Sequence, residues 1–277
     1  MVFPKISLRN RTCFSEGEIP PEKMILSAID AGAQTIGITV FADTSFSLSL
    51  KKSPEEMAAF CREIRELSEK YRYKITVLLG EERDFNADSA FLPCDYRVGF
   101  VHSLVADDGT ICRLDHSAAR ILADVQAHFG GRMNRLIRCY FETVAQLVRQ
   151  TRCDLIADFD FLQTFNAENR LFDPSLPGYR AAVLDAMEAL CRENVAFEIR
   201  LREKPAKNGL RFSPEPDIVR WLAMHGARFF LSAPTASEKD PFAGFSECAL
   251  FAKACGVGGF SIFQNGEWRT IPIGREA

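Results

Sequence analysis

The sequence predicts an α/β fold built on a mainly parallel, barrel-like sheet with helices outside, and three observations carry that expectation. Short β-rich runs alternate with helical stretches from one end of the chain to the other. Several of the β-rich runs are near-continuous apolar stretches, such as Ile75-Thr76-Val77-Leu78-Leu79, as strands covered on both faces require. The chain has 277 residues, close to the roughly 250 that an α/β barrel uses as one unit. A single domain over 1–277 is therefore expected.

In order, strands are expected at 3–8, 35–40, 74–79, 97–101, 154–159, 195–201, 228–232 and 259–263. Helices are expected between them at 20–31, 53–71, 115–128, 133–151, 177–193, 214–226 and 241–254. Ser53-Pro54-Glu55-Glu56 supplies an N-cap, a proline at the first helical position and acids that complement the helix dipole. Gly32 and Gly226 stand where helix C-caps belong, each just ahead of a strand. The polar stretches 82–94, 163–176 and 202–213 then read as loops after strands. In a parallel barrel such loops open on one face, where ligands bind.

Composition narrows the function classes. With 47% hydrophobic and 26% charged residues, the chain can bury a core and carries no sign of extended disorder. A formal charge of -3 gives no bulk attraction to nucleic acid or to an anionic membrane, and no aromatic-and-basic stripe marks a single-strand platform. No run approaches the roughly 20 apolar residues of a membrane span. The start Met1-Val2-Phe3-Pro4-Lys5 lacks the apolar core of a signal peptide, so a cytoplasmic location is expected. Nine scattered cysteines without a C-x-x-C pair read as reduced, small hydrophobes, and their spacing does not point to a cysteine zinc site.

A spaced series of motifs goes further. SLRNRTCFSEGE (7–18), IGITVFAD (36–43), LLGEERDF (78–85), DYRVGFVHSL (95–104), CYFETVAQLV (139–148), CDLIADFDF (153–161) and FFLSAPT (229–235) follow one another in order. They resemble, respectively, the D-L-H-x-H-T opening, the I-x-I-T-D-H-x-D strand end, the G-x-E-x-D-Y segment, D-Y-V-I-G-S-V-H-x-L, the Y-Y-x-x-V helix, the G-H-x-D strand end and the closing G-S-D-A-H of the PHP superfamily. The resemblance is to its histidinol-phosphatase-like branch and spans nearly the whole chain. It implies a distorted (β/α)7 barrel and, in intact members, phosphomonoester hydrolysis by a metal cluster.

Carried over position by position, most of the ligands implied by the resemblance are missing. Arg9 and Arg11 replace two histidines, Val40 and Phe41 an Asp-His pair, Asp158 a histidine, and Ala233 with Thr235 the last Asp and His. Glu82 and His102 are unchanged, and Asp158 is a potential oxygen ligand. An arginine has no lone pair to offer and repels a divalent cation. Two or three ligands do not hold three ions that each take about four to six. No cofactor is therefore expected; in an active protein, Glu82, His102 and Asp158 would hold a divalent Mn, Zn, Fe or Mg.

Two accounts of the arginines stand side by side. Arg9, Arg11 and Arg200 can form an anion pocket for a small anionic or phosphorylated metabolite, with Arg202 and Arg211 as weaker additions. Alternatively, they neutralise Glu82 and Asp158. His102, expected beside Glu82, leads the catalytic candidates with Glu82 and Asp158, against a remnant buried histidine. Cys13 lies near the arginines but begins no C-x5-R cradle, the sixth residue on being Ile19, and reads as a small buried residue. His116, His128 and His225 read as surface or capping residues, Gly256-Val257-Gly258-Gly259 as a turn, and Trp221 as packing.

Three functions follow. The first is a degenerate PHP protein without efficient phosphomonoesterase activity, with or without an anion pocket. The second is an active hydrolase with a rearranged site, and the third a non-catalytic scaffold.

Overall fold

The computed structural model describes residues 5–15, 17–42, 52–202, 209–233, 240–264 and 266–274. Its elements run β1 (Ile6–Asn10), α1 (Pro21–Asp30), β2 (Thr35–Phe41), α2 (Pro54–Tyr71), β3 (Thr76–Asp84), β4 (Tyr96–Phe100), β5 (Ser103–Val105) and β6 (Ile111–Arg113). There follow α3 (Ala118–His128), α4 (Met133–Ala145), α5 (Leu147–Thr151), β7 (Leu155–Ile156), α6 (Pro177–Leu190), β8 (Ala196–Leu201), β9 (Phe212–Ser213) and α7 (Pro216–Met224). The chain ends with β10 (Arg228–Leu231), α8 (Phe245–Ala254), β11 (Gly259–Gln264) and β12 (Glu267–Pro272).

The main sheet runs in the order β1-β2-β3-β4-β7-β8-β10 with every neighbour parallel. Its last strand returns beside β1, so the sheet is a nearly closed parallel barrel with helices outside, the distorted α/β barrel expected. Outward residues Ile36, Ile38, Val77 and Leu79 pack on Met24 and Ile25 of α1 and on Phe60 and Ile64 of α2. Inward residues of successive strands, among them Leu8, Leu78, Tyr96, Leu155, Ala196 and Phe230, fill the barrel interior. Tyr96 is the largest of these, and its hydroxyl donates to the Leu8 carbonyl at 2.5 Å. Gly37 and Gly80 face it, because a Cβ at either position would overlap its ring or hydroxyl.

Local signals agree with the elements. Ser53 and Glu56 form a reciprocal capping box at the start of α2, and Gly32 and Gly226 take the left-handed conformation behind α1 and α7. Among the described residues no helix is long and apolar enough to cross a membrane.

Three expectations need correction. The stretch 82–84, expected in a loop, belongs to β3, whose charged end Glu81-Glu82-Arg83-Asp84 is buried. Its polarity hides the strand because most of the partners are remote: Glu81 accepts from Arg97 as well as from neighbouring Arg83, both at 2.8 Å, and Asp84 from Ser103 Oγ and the His102 backbone N–H, both at 2.7 Å. The run at 259–263 is β11, which pairs antiparallel with the unanticipated β12 and is not a barrel strand. The β5–β6 hairpin was also not foreseen, and β7 is only two residues long. The expected first strand begins in part outside the described residues.

Gly37→Ala is expected to destabilise the protein by about 1–3 kcal/mol in urea unfolding, the usual cost of overpacking. Tyr96→Phe added to it should recover part of that loss, giving a double-mutant coupling that additive sites lack.

Candidate functional site

Every barrel strand sends a polar side chain to the carboxyl-terminal mouth. They are Arg9 from β1, Thr39 from β2, Glu82 from β3, His102 just after β4, Asp158 just after β7, Glu198 and Arg200 from β8, and Ser232 just after β10. Within β1 the register against β2 shifts between Ser7 and Asn10. Such a bulge re-aims a side chain. Leu8 packs in the barrel interior while the next residue, Arg9, also reaches inward to the carboxylates.

Arg9 is the centre of the arrangement. Its Nε donates to Glu82 Oε2 at 2.9 Å, Nη1 to Glu198 at 3.0 and 3.2 Å, and Nη2 to Asp158 Oδ2 at 3.2 Å. Arg11 donates to both oxygens of Glu82, at 3.3 and 2.9 Å, and its guanidinium lies 4.4 Å over the Phe41 ring. Arg200 donates twice to Asp158 Oδ1, at 3.0 and 2.6 Å, and its Nε lies 3.5 Å from Glu198. Thr39 Oγ1 donates to Glu82 Oε1 at 2.7 Å and Ser232 Oγ to Glu198 Oε1 at 2.5 Å. The Asp158 backbone N–H donates to Glu198 Oε2 at 3.1 Å, and His102 Nε2 sits 3.1 Å from Asp158 Oδ2.

Each oxygen of Glu82, Asp158 and Glu198 thus has two hydrogen-bond partners. Three guanidiniums, Arg9, Arg11 and Arg200, oppose three carboxylates, Glu82, Asp158 and Glu198.

Burial and charge compete at Glu82, Asp158 and Arg9, and charge wins. Burial pushes Glu82 up, but Arg11 and Arg9 outweigh it and bring its carboxyl down to about 2. Burial also opposes ionisation of Asp158, yet Arg200 and Arg9 hold it well below the usual carboxylate range. Burial disfavours the charge on Arg9, but Glu198, Glu82 and Asp158 raise its pKa well above the ordinary arginine value.

Asp158 takes a left-handed conformation with φ of 54°. Few residue types other than Asn and Asp accept this conformation. Tyr140 of α4 clamps the turn, donating to the Asp158 and Phe159 carbonyls at 3.0 and 3.2 Å and accepting from the Phe161 N–H at 3.1 Å. Phe161 in turn stacks on the His102 ring at 3.9 Å.

The structure brings Arg9, Arg11, Arg200, Glu82, His102 and Asp158 together in one hydrogen-bonded network. His102 corrects one detail, because its carboxylate partner is Asp158, not Glu82. Glu198 is the main residue that sequence reasoning missed. The period-two alternation of a strand places it on the face of Arg200, which was singled out, and that signal would have found it.

Other candidates make different contacts. Val40 points into the packing against α1 and α2, and Phe41 lies against Phe100. Arg202 pairs with Asp160 at 2.7 Å, and Arg211 with Glu215 at 3.4 Å. Cys13 is exposed, not buried. Ala233 is half-buried, and Thr235 lies outside the described residues.

As arranged, this donor set does not fit a divalent cation. The carboxylate oxygens that would ligate one already accept two hydrogen bonds each, mainly from guanidinium N–H groups. The cationic arginines stand where positive ions would have to sit.

The barrel fold is shared with two solved histidinol phosphatase structures. The chain is similar to HisK of Listeria monocytogenes, described as a histidinol phosphatase, with a TM-score of 0.69 and 16% identity over 88% of this chain and 99% of the other. It is equally similar to histidinol phosphate phosphatase HisK of Lactococcus lactis, solved with zinc, L-histidinol and phosphate, with a TM-score of 0.69 and 17% identity over 97% and 100% of the two chains. No protein-family model matches the sequence, and no curated protein matches it.

Arg9→Ala is expected to cost about 3–5 kcal/mol in urea unfolding, since it strands three buried carboxylates. A second expectation concerns acid. Glu82 titrates lower in the folded chain than its ordinary 4.5, so its stabilisation is complete above that value and is lost as pH falls toward about 2. Unfolding free energy measured across that interval should fall steeply in the native chain and less so in Glu82→Gln.

Proposed function

We propose that this chain is a histidinol-phosphatase-like barrel without efficient phosphomonoesterase activity, in which a fixed arginine–carboxylate network stands in the place of a metal cluster. The observation that supports this most is Arg9, one guanidinium donating simultaneously to Glu82, Asp158 and Glu198. In phosphate ester hydrolysis a metal cluster acidifies the attacking water, neutralises the phosphoryl oxygens and supports the leaving group. Guanidiniums can neutralise charge, but a group held above its ordinary pKa does not activate water.

The ligand class that suits the mouth is a small phosphorylated metabolite. It would bind by exchanging with Glu82 for the guanidinium of Arg11, the most exposed of the three at 13% of its side chain. The Lactococcus lactis structure with phosphate supports this class for the fold. The nine free cysteines agree with a reducing, cytoplasmic setting.

His102 paired with Asp158 supports one second reading, a metal-free general base oriented by a carboxylate. Assay of histidinol phosphate with and without added Mn, Zn, Fe or Mg separates the two. No turnover above background is expected in any condition. Turnover abolished by His102→Ala would instead establish the hydrolase. In thermal-shift measurements, stabilisation by phosphate that is lost in Arg11→Ala is the expected mark of the pocket, and no response to any anion would leave a scaffold.

A further inference from the structure

The β5–β6 hairpin and helix α3 meet in a cluster that shares no residue with the barrel mouth. Cys112 is the middle residue of β6 and turns inward, 1% exposed, between the outward Ile111 and the partly exposed Arg113. Asp124 and His128 lie on α3 at i and i+4, hence on one helix face, and that face looks toward the hairpin. The Cys112 sulfur, a carboxylate oxygen of Asp124 and a ring nitrogen of His128 all lie within 4.8 Å of one another.

Two further observations give the cluster a direction. Asp124 is 3% exposed, and Arg120 Nε holds its Oδ1 at 2.9 Å, yet among the described residues its buried Oδ2 has no hydrogen-bond partner. A buried carboxylate oxygen without a protein donor is costly and uncommon, and an ordered water or an ion is what ordinarily satisfies one. His128 Nδ1 lies 2.8 Å from Asp108 Oδ2, in the turn that joins the two hairpin strands. When Nδ1–H donates to that carboxylate, the free lone pair of the imidazole is on Nε2. Carboxylate partners of this kind fix the tautomer of metal-binding histidines.

We propose that Cys112, Asp124 and His128 are the protein ligands of a zinc-class divalent cation that staples the β5–β6 hairpin to α3. One thiolate, one carboxylate and one imidazole form a mixed, borderline donor set suited to zinc, neither the all-oxygen set of magnesium and calcium nor the all-sulfur set of copper(I) or iron–sulfur clusters. A tetrahedral zinc with bonds of about 2.0–2.3 Å spaces its ligand atoms roughly 3.3–3.8 Å apart. The cluster therefore closes on an ion through side-chain shifts of about 1 Å or less per residue, well within rotamer adjustment.

The fourth position belongs to water, on the side where the His128 side chain is 24% exposed. On binding, the Cys112 thiol gives up its proton to solvent and becomes the thiolate ligand. Arg120 stays on Oδ1 as an outer support, as ligating carboxylates usually have. Cysteine spacing conceals this site because it uses one cysteine from a hairpin and two residues from a helix.

Cobalt titration of the full chain, stripped with chelator, tests the proposal. One equivalent is expected to bind with an intense thiolate-to-cobalt charge-transfer band, and zinc should displace it. The band should vanish in Cys112→Ser. His128→Ala, whose partly exposed side chain leaves the fold intact, should weaken cobalt binding at least 10-fold, and Asp108→Ala by about 10–100-fold. His102→Ala should leave the band unchanged, which keeps this test separate from the barrel mouth. No charge-transfer band, a band that survives Cys112→Ser, or one lost in His102→Ala but not in His128→Ala would overturn the proposal.

Discussion

One guanidinium organises the mouth of this barrel. Arg9 reaches three buried carboxylates, Glu82 from β3, Asp158 just after β7 and Glu198 from β8. Removing ions of this kind from water costs several kcal/mol apiece, and Coulomb attraction offsets it only when the geometry is good and the remaining lone pairs are satisfied. Here both conditions hold, because Arg11, Arg200, Thr39, Ser232 and the Asp158 N–H supply what Arg9 does not. Such a network need not be more stable than an apolar plug of the same shape. What it does impose is interdependence, since loss of any member strands the others.

The same constraint ties the site to the backbone around it. The bulge in β1 brings Arg9 inward next to Leu8, and the left-handed turn at Asp158 presents both the carboxylate and the N–H to the network. Tyr140 holds that turn from α4, and Phe161 braces His102. Below this layer Tyr96 and its facing glycines fill the barrel, so the polar cluster rests on packed side chains. A barrel of this type collects side chains from every strand at one end, and in this chain that convergence assembles ion pairs.

Much of this was legible in the sequence, and the exceptions have physical causes. Alternating apolar runs and helical stretches located the helices and, closely, strands β2, β4, β8 and β10, and Ser53 and Gly32 marked ends that the structure confirms. Motif order pointed to Arg9, Arg11, Glu82, His102 and Asp158 as one site, and the expected strand end at 201 added Arg200. The end of β3 was misread because, although Glu81 and Arg83 pair within the strand, Glu81 also pairs with Arg97 and Glu82 with Arg9 and Arg11, partners distant in sequence that no local pattern shows. Glu198 was overlooked because an acid inside an apolar strand carries no motif, although alternation with Arg200 encodes its facing. The hairpin β5–β6 was missed because strands of three residues are too short for periodicity to register.

The most direct measurement is a crystal structure of the protein grown with excess manganese or zinc, with anomalous difference density calculated at the barrel mouth. Continuous density for the Arg9 guanidinium between Glu82, Asp158 and Glu198, with no anomalous peak among them, is the predicted result. An anomalous peak coordinated by those carboxylates and His102, with Arg9 swung away, would contradict it.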